Sequence, residues 1–277
     1  MRAARIRRWV VGVIAIAVSA LVFLVPFAFI VLQAIKSPSE AADMSFAWPT
    51  ELYLWQNLAG VMNTDDGQII RAFINSALLT IFSVTITVVF AAMVGYVLQR
   101  KRSRLNPIIN FFVLAGLIVP PAVVPTIWVM QGLGIFKTLP GMILVEATFG
   151  LSFCILLFRA FVGTIPRELD EAALLDGAGP LRLFFTVVLP LMRPVVVTVI
   201  VVQAVAVFND FAGPLYFLPG SDNATVQLTL FNFQSQAVSQ YNLLFMDILL
   251  ITIPPLVMYL FFNRQLVAGM TSGAIKG

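Results

Sequence analysis

Apolar residues occur along this chain in long runs separated by short polar or basic segments, a pattern unlike the strict alternation of a half-buried strand. Six runs approach or exceed the roughly 20 residues that a helix needs to cross hydrocarbon: residues 9–32, 72–98, 108–130, 142–162, 191–208 and 243–262. They predict an all-α membrane protein of six transmembrane helices, with residues 1–277 forming one transmembrane domain. The first run follows a basic cluster, as a secretory signal would. It is longer than the roughly 7–15 residues of a signal core and has no small-residue cleavage site, so it reads as a retained helix. No internal repeat of solenoid length and no long low-complexity linker interrupts the series.

Composition agrees with the pattern: 60% of residues are hydrophobic and only 11% charged, which excludes an ordinary soluble enzyme. The chain has no His and one Cys, Cys154, so it offers no imidazole for catalysis, no multi-thiol metal site and no intramolecular disulfide.

The net charge of +4 is a topology signal rather than a nucleic-acid footprint, because Lys and Arg concentrate in short cytoplasmic loops of membrane proteins. Fourteen of the seventeen fall in four places: Arg2, Arg5, Arg7 and Arg8; Arg100, Lys101, Arg102 and Arg104; Arg159, Arg167, Arg182 and Arg193; and Arg264 with Lys276. Only Lys36, Arg71 and Lys137 lie on the other side. Both termini and the second and fourth connections are therefore expected in the cytoplasm, with residues 33–71, 131–141 and 209–242 outside.

The fourth connection, residues 163–190, carries its own local code. Pro166 suits a first helical turn, and Glu168, Asp170 and Glu171 sit where a helix dipole favours anions. Gly177 supplies a left-handed stop, and Pro180 opens a second helix through Leu183, Phe184 and Phe185. Two short helices meeting at a glycine elbow are predicted, with Ala172 and Ala173 giving one patch almost no side-chain bulk. By these features alone the segment reads equally as an interfacial amphipathic helix or as a helix that docks on another protein.

The string itself, Glu171-Ala172-Ala173, three residues, Gly177, nine residues, Val187, one residue, Leu189-Pro190, resembles the EAA loop of the permease subunits of ATP-binding-cassette importers. Val187 stands where that pattern usually has Ile, a volume-similar change. In that family the loop is the coupling helix, seated in a groove of the cytoplasmic ATPase. The resemblance implies that Glu171, Ala172, Ala173, Asp176 and Gly177 dock there. Six spans, a large first outer loop, Asn209-Asp210 after the fifth span and the tail Val267-Ala268-Gly269-Met270-Thr271-Ser272-Gly273-Ala274-Ile275-Lys276-Gly277 look like the maltose-type, second permease of a carbohydrate importer. In relatives that tail reaches toward the ATPase pair, which marks Thr271, Ser272 and Gly273.

The same resemblance implies a prokaryotic cell membrane location and three kinds of partner: a second permease, two ATPase subunits and an extracytoplasmic solute-binding protein. No G-x-x-x-x-G-K-[ST] loop is present, so no cofactor is expected on this chain, and ATP with Mg belongs to the ATPases.

Within the spans, Ser76, Thr80, Ser83 and Thr87 recur at four, three and four residues and share one helix face. Helix packing, for which small and hydroxyl residues are enriched in membranes, is the leading reading, with a solute-lining role beside it. If the fifth helix runs a turn past Phe208, Gln203 and Asp210 share a second face, and Thr198 and Asn209 a third. Gln203 needs a partner inside the apolar run, through interhelical bonding or solute contact. Ser76, Thr80, Ser83, Gln203, Asn209 and Asp210 are the candidate translocation path. Glu146 and Asp247 fall near outer span ends, where solvation would account for them.

The function expected from these features is ATP-driven import of a sugar or oligosaccharide by alternating access. A polyamine or other organic solute is the nearest alternative. Ion-coupled secondary transport lacks the paired half-repeats and intramembrane ionisable residues it would need. A membrane enzyme lacks a catalytic set.

Overall fold

In the computed structural model the described residues are 2–233 and 240–272, with side chains described for 9–233 and 240–262. The described residues form helices and connections without a strand. In chain order the first seven helices are α1 (Arg2–Ala34), α2 (Pro38–Ala42), α3 (Leu54–Asn63), α4 (Gln68–Arg100), α5 (Asn106–Ile118), α6 (Val123–Gly132) and α7 (Leu139–Val162). They are followed by α8 (Glu168–Leu175), α9 (Pro180–Leu183), α10 (Leu189–Leu191), α11 (Arg193–Phe208), α12 (Ala212–Phe217), α13 (Val226–Thr229) and α14 (Tyr241–Ser272).

Four segments, Trp9–Ala34, Gln68–Arg100, Leu139–Val162 and Tyr241–Phe262, are single helices long and apolar enough to cross a membrane. The third expected span is broken, and the fifth is one helix that follows a sharp corner. Residues 108–130 divide between α5 and α6, which meet at 118°. Pro120 and Pro121 provide no N–H for a helical ladder and hold the residues before them out of the α region, so Val119 takes an extended ψ of 123°. The fifth span is α11, preceded at 79° by the stretch Pro180–Leu191. Pro194 at the start of α11 cannot donate to Pro190, and Met192 leaves helical ψ at that corner. The turn before it, Phe184–Val188, is a π-helix.

The chain comprises two compact units. One takes in residues up to Ile70 together with Thr229–Ile253. Here none of the most apolar window of α1 is buried against the chain, the state expected of a helix solvated by lipid. The polar work is done at its C-terminal end. Asn57 of α3 donates to the carbonyls of Ala34 (2.9 Å) and Lys36 (2.8 Å) and accepts from Asn242 of α14 (2.7 Å). Gln33 and Lys36 both donate to the Ser45 carbonyl at 2.6 Å. Asp247 is fully buried and accepts from Thr229 at 2.8 Å, so it is not solvated as its position in the run suggests.

The other unit takes in Arg71–Leu228 and the chain from Pro254. Its core is formed by Leu79, Val84, Ala91, Ala92, Ile155, Phe158, Val162, Phe184, Val188, Met192 and Val199. Small residues let the helices approach closely: a β-carbon on Gly95 of α4 would lie 2.9 Å from the Arg159 nitrogen and the Phe158 β-carbon of α7.

Candidate functional site

The elbow in the fourth connection begins with α8, whose first turn carries Glu168, Asp170 and Glu171. The helix starts at Glu168, two residues beyond Pro166. Its end is a Schellman closure: Ala178 N–H donates to Ala173 O and Gly177 N–H to Leu174 O, both at 3.0 Å. This geometry needs the left-handed conformation that Gly177 adopts at φ +79°. Gly179 and Pro180 then open α9.

The elbow has an inner and an outer side. Ile165, Asp170 and Leu183 are buried, and Ala173 and Ala178 are half-buried against the core. Glu171, Ala172, Asp176 and Gly177 are exposed, and Leu175 is 89% exposed. A large apolar side chain left so open on a short helix marks a surface that meets something other than water. Of the two alanines the sequence pairs, only Ala172 belongs to that surface, because Ala173 turns inward.

What holds the elbow was not evident from sequence. Arg100, at the last turn of α4, forms an ion pair with Asp170, Nε to Oδ2 at 2.9 Å, and its Nη2 donates to the Ile165 carbonyl at 2.8 Å. Tyr96, one turn earlier, donates its hydroxyl to Asp170 at 3.4 Å. The side chains of Arg100 and Asp170 are only 9% and 12% exposed. A desolvated ion pair with added hydrogen bonds fixes one relative position of its partners, and losing either member leaves an uncompensated charge. Arg100 reads in sequence as a topology charge and Asp170 as a dipole-compensating acid. The available signal was the Tyr96–Arg100 spacing, which puts both on one face of α4.

The hydroxyl stripe of α4 faces the interior of its unit, with Ser76, Thr80, Ser83 and Thr87 all buried. Ser76 accepts from Val226 N at 3.0 Å. Ser83 donates to Leu79 O at 2.6 Å, and Thr87 to Ser83 O at 2.8 Å and to Ala147 O of α7 at 3.3 Å. Thr80 alone of the four has a hydroxyl without a partner among the described residues, and it lines a 410 Å³ cavity with Thr85, Ile200, Ala204 and Met258. Gln203 fits its amide against Gly150 of α7, where any β-carbon would overlap it, and Cys154, one turn on from Gly150, is buried.

Helix α11 ends at Phe208, with Asn209 as its cap, so it does not carry the Gln203 face on to Asp210 or the Thr198 face on to Asn209. The cap carbonyl and amide arrangement turns the chain instead. Asp210 accepts from Gly213 N at 3.0 Å, and half-buried Glu146 of α7 lies against the same turn. A β-carbon on Gly213 would overlap the Asp210 carboxylate. Asn209 remains exposed and accepts from Gln227 Nε2 at 3.3 Å. The structure thus groups Glu146, Asp210 and Gly213 at one turn and Gln203, Gly150 and Cys154 at another. Among the described residues no three His, Cys, Asp or Glu side chains could hold a metal ion. Of the tail residues, Thr271 and Ser272 close α14 with side chains outside the described set, and Gly273 lies outside the described residues altogether.

These features have counterparts in known proteins. Residues 87–272 match the family described as binding-protein-dependent transport system inner membrane component. The chain is 27% identical to the melibiose/raffinose/stachyose import permease MelC of Bacillus subtilis, with 100% of both chains covered. It is 31% identical to the trehalose transport system permease SugB of Mycobacterium tuberculosis, covering 92% of this chain and 93% of that one. In fold it is similar to a chain from the crystal structure of a bacterial ABC transporter that imports the acidic polysaccharide alginate, with a TM-score of 0.83, 21% identity and coverage of 95% and 98%. With apolar helices in number and a family match over two thirds of its length, this chain belongs to the multi-pass inner membrane components of binding-protein-dependent transport systems.

Proposed function

We propose that this chain is a permease subunit that carries a neutral sugar or oligosaccharide into the cell, powered by ATP and Mg bound on two partner ATPases rather than on this chain. A second permease completes the path, and a solute-binding protein delivers the sugar from outside. Both termini face the cytoplasm, in keeping with the lopsided Lys and Arg count.

The observation that carries the reading is the elbow: an exposed face of Glu171, Ala172, Leu175, Asp176 and Gly177 on a helix rooted to α4 by the buried Arg100–Asp170 pair. A force applied to α8 by an ATPase passes into the end of a membrane-crossing helix, because the pair and the Ile165 bond leave the elbow no independent motion. Thr271, Ser272 and Gly273 supply a second ATPase contact. Along the path, Thr80 and Asn209 keep polar capacity for a solute, whereas Ser76, Ser83, Gln203 and Asp210 set the helix spacing around it. The sugar assignment draws support from relatives named for melibiose, raffinose, stachyose and trehalose.

The test is the complete transporter in proteoliposomes, with the ATPases facing outward and the binding protein and labelled sugars in the lumen. Efflux should require hydrolysable ATP and persist with a protonophore. Flux driven by a proton gradient without ATP would overturn the mechanism. ATP-driven transport of a polyamine in preference to every sugar would overturn only the substrate class.

A further inference from the structure

The unit that contains α1 and α3 presents a second surface, unrelated to the elbow. Helix α3, Leu54–Asn63, contains no charged residue, and its buried side is Asn57 and Val61. Its open side carries an apolar stripe beside the polar Gln56 and Asn63. Trp55 is 74% exposed, and Ala59 and Met62, four and seven residues on, continue an open apolar stripe. The segment leading into α3 extends this face through Phe46, Trp48 and Leu52, with Trp48 75% exposed. From Met44 to Met62 the only charge is Glu51. An apolar patch of this kind demands an occupant.

Its depth is set by the bonds described above. Asn57 ties α3 to the last carbonyls of α1 and to Asn242 in the first turn of α14, and Tyr53 N donates to the Ile35 carbonyl at 2.9 Å. Both partner helices cross the membrane, so α3 is pinned at the level where they leave hydrocarbon. Phe46 packs on Phe29 of α1 with ring centroids 4.9 Å apart, which joins the patch to the unburied, lipid-length surface of α1. Tryptophan rings favour that headgroup level because they combine an apolar body with one N–H donor.

We propose that Phe46, Trp48, Leu52, Trp55 and Met62 are an interfacial anchor, lying in the lipid headgroup boundary at the C-terminal end of α1. The Asn57 bonds hold α3 in that plane, and the exposed acids nearby, Asp43 and Glu51, make zwitterionic rather than anionic headgroups the fitting lipid. The anchor fixes the height of α1, which has no packing partner along its apolar window within this chain.

The experiment uses the intact transporter, purified from membranes and placed in phosphatidylcholine nanodiscs. Of this chain's four tryptophans, Trp9 and Trp128 are replaced by Phe, and the Trp48 and Trp55 signal is isolated as the difference from a transporter that also carries Trp48→Phe and Trp55→Phe. Lipids brominated high on the acyl chain should quench this fluorescence at least about twofold more than lipids brominated near the chain end, as expected for rings at the interface. Aqueous iodide should quench weakly. Strong iodide quenching with no effect of brominated lipid would overturn the proposal, as would protection from both quenchers, which would mean that another protein covers the patch. Because the readout is lipid contact, its failure leaves the transport reading standing, and loss of transport leaves this result unchanged.

Discussion

The elbow at α8 and the cap at α3 are both short helices inserted between membrane-crossing segments, yet they are built with opposite chemistry. Helix α8 is rooted by charge, Arg100 on Asp170, and shows small and acidic residues with three open leucines, Leu169, Leu174 and Leu175. Helix α3 is rooted by neutral amides, Asn57 and Asn242, and shows tryptophan and methionine. A charged root holds one geometry firmly and fails badly when half of it is missing, which suits an element that must transmit force. A neutral amide can satisfy helix-end carbonyls beside hydrocarbon without bringing a charge there, which suits an element that must stay at a fixed depth. The outer faces follow the same division: small and acidic residues beside open leucines in one case, and aromatic rings in the other.

The comparison breaks most visibly at Arg100. Arg100→Gln strands the buried Asp170 carboxylate and should cost about 3–5 kcal/mol locally. ATP-driven uptake should fall to background while α4 and α7 stay packed. The paired change Arg100→Met with Asp170→Leu should restore thermal stability but not uptake. Recovery of uptake would show that the pair is only packing. Asn57→Leu strands the Ala34 and Lys36 carbonyls and should cost about 1–3 kcal/mol for each group left unpaired. Hydrogen exchange should then rise at the C-terminal end of α1 and not at the elbow. Equal protection in both variants would erase the distinction between the two roots.

Smaller effects sharpen the faces. Nothing lies within 4 Å of a β-carbon built on Gly177, so Gly177→Val acts through its left-handed backbone alone, at about 1–2 kcal/mol. Uptake should drop further than stability does, because the closure sets the aim of Glu171 and Asp176. Ala172→Trp, on the open side, should block copurification with the ATPases at unchanged melting temperature. Ala173→Trp, facing the core, should lower that temperature as well. The smallest effect belongs to Glu40, in α2, whose carboxyl is held down to about 2 from 4.5 by hydrogen bonds from Thr50 and Ser37. Its brace on residues 37–50 is therefore complete above about pH 4.5 and is lost as pH falls toward 2. Glu40→Gln should loosen that loop at neutral pH as acid does in the wild type, measured by amide exchange.

The six apolar runs and the elbow were legible because both are local. Hydrocarbon length is counted along the chain, and Gly177 and Pro180 act on their own dihedral angles. The broken third span could also be read from Pro120-Pro121, although length alone counts it as one helix. The fifth helix stops at Phe208 where periodicity allows another turn, because Asp210 turns back to take the Gly213 N–H instead of extending the face of Gln203. Asp247 lies where water would be expected, and the chain instead brings Thr229 over it.

By itself the sequence determined class, number of apolar runs, charge asymmetry and the glycine elbow, since each depends on composition or on neighbours a few residues apart. Only the tertiary structure decided which polar groups do the holding. Asn57 meets Asn242 across 185 residues and Tyr96 meets Asp170 across 74. A lone Asn or Arg in sequence carries no mark of its partner, because burial turns it from a solvated group into one that must be satisfied, and burial is a property of the packed chain.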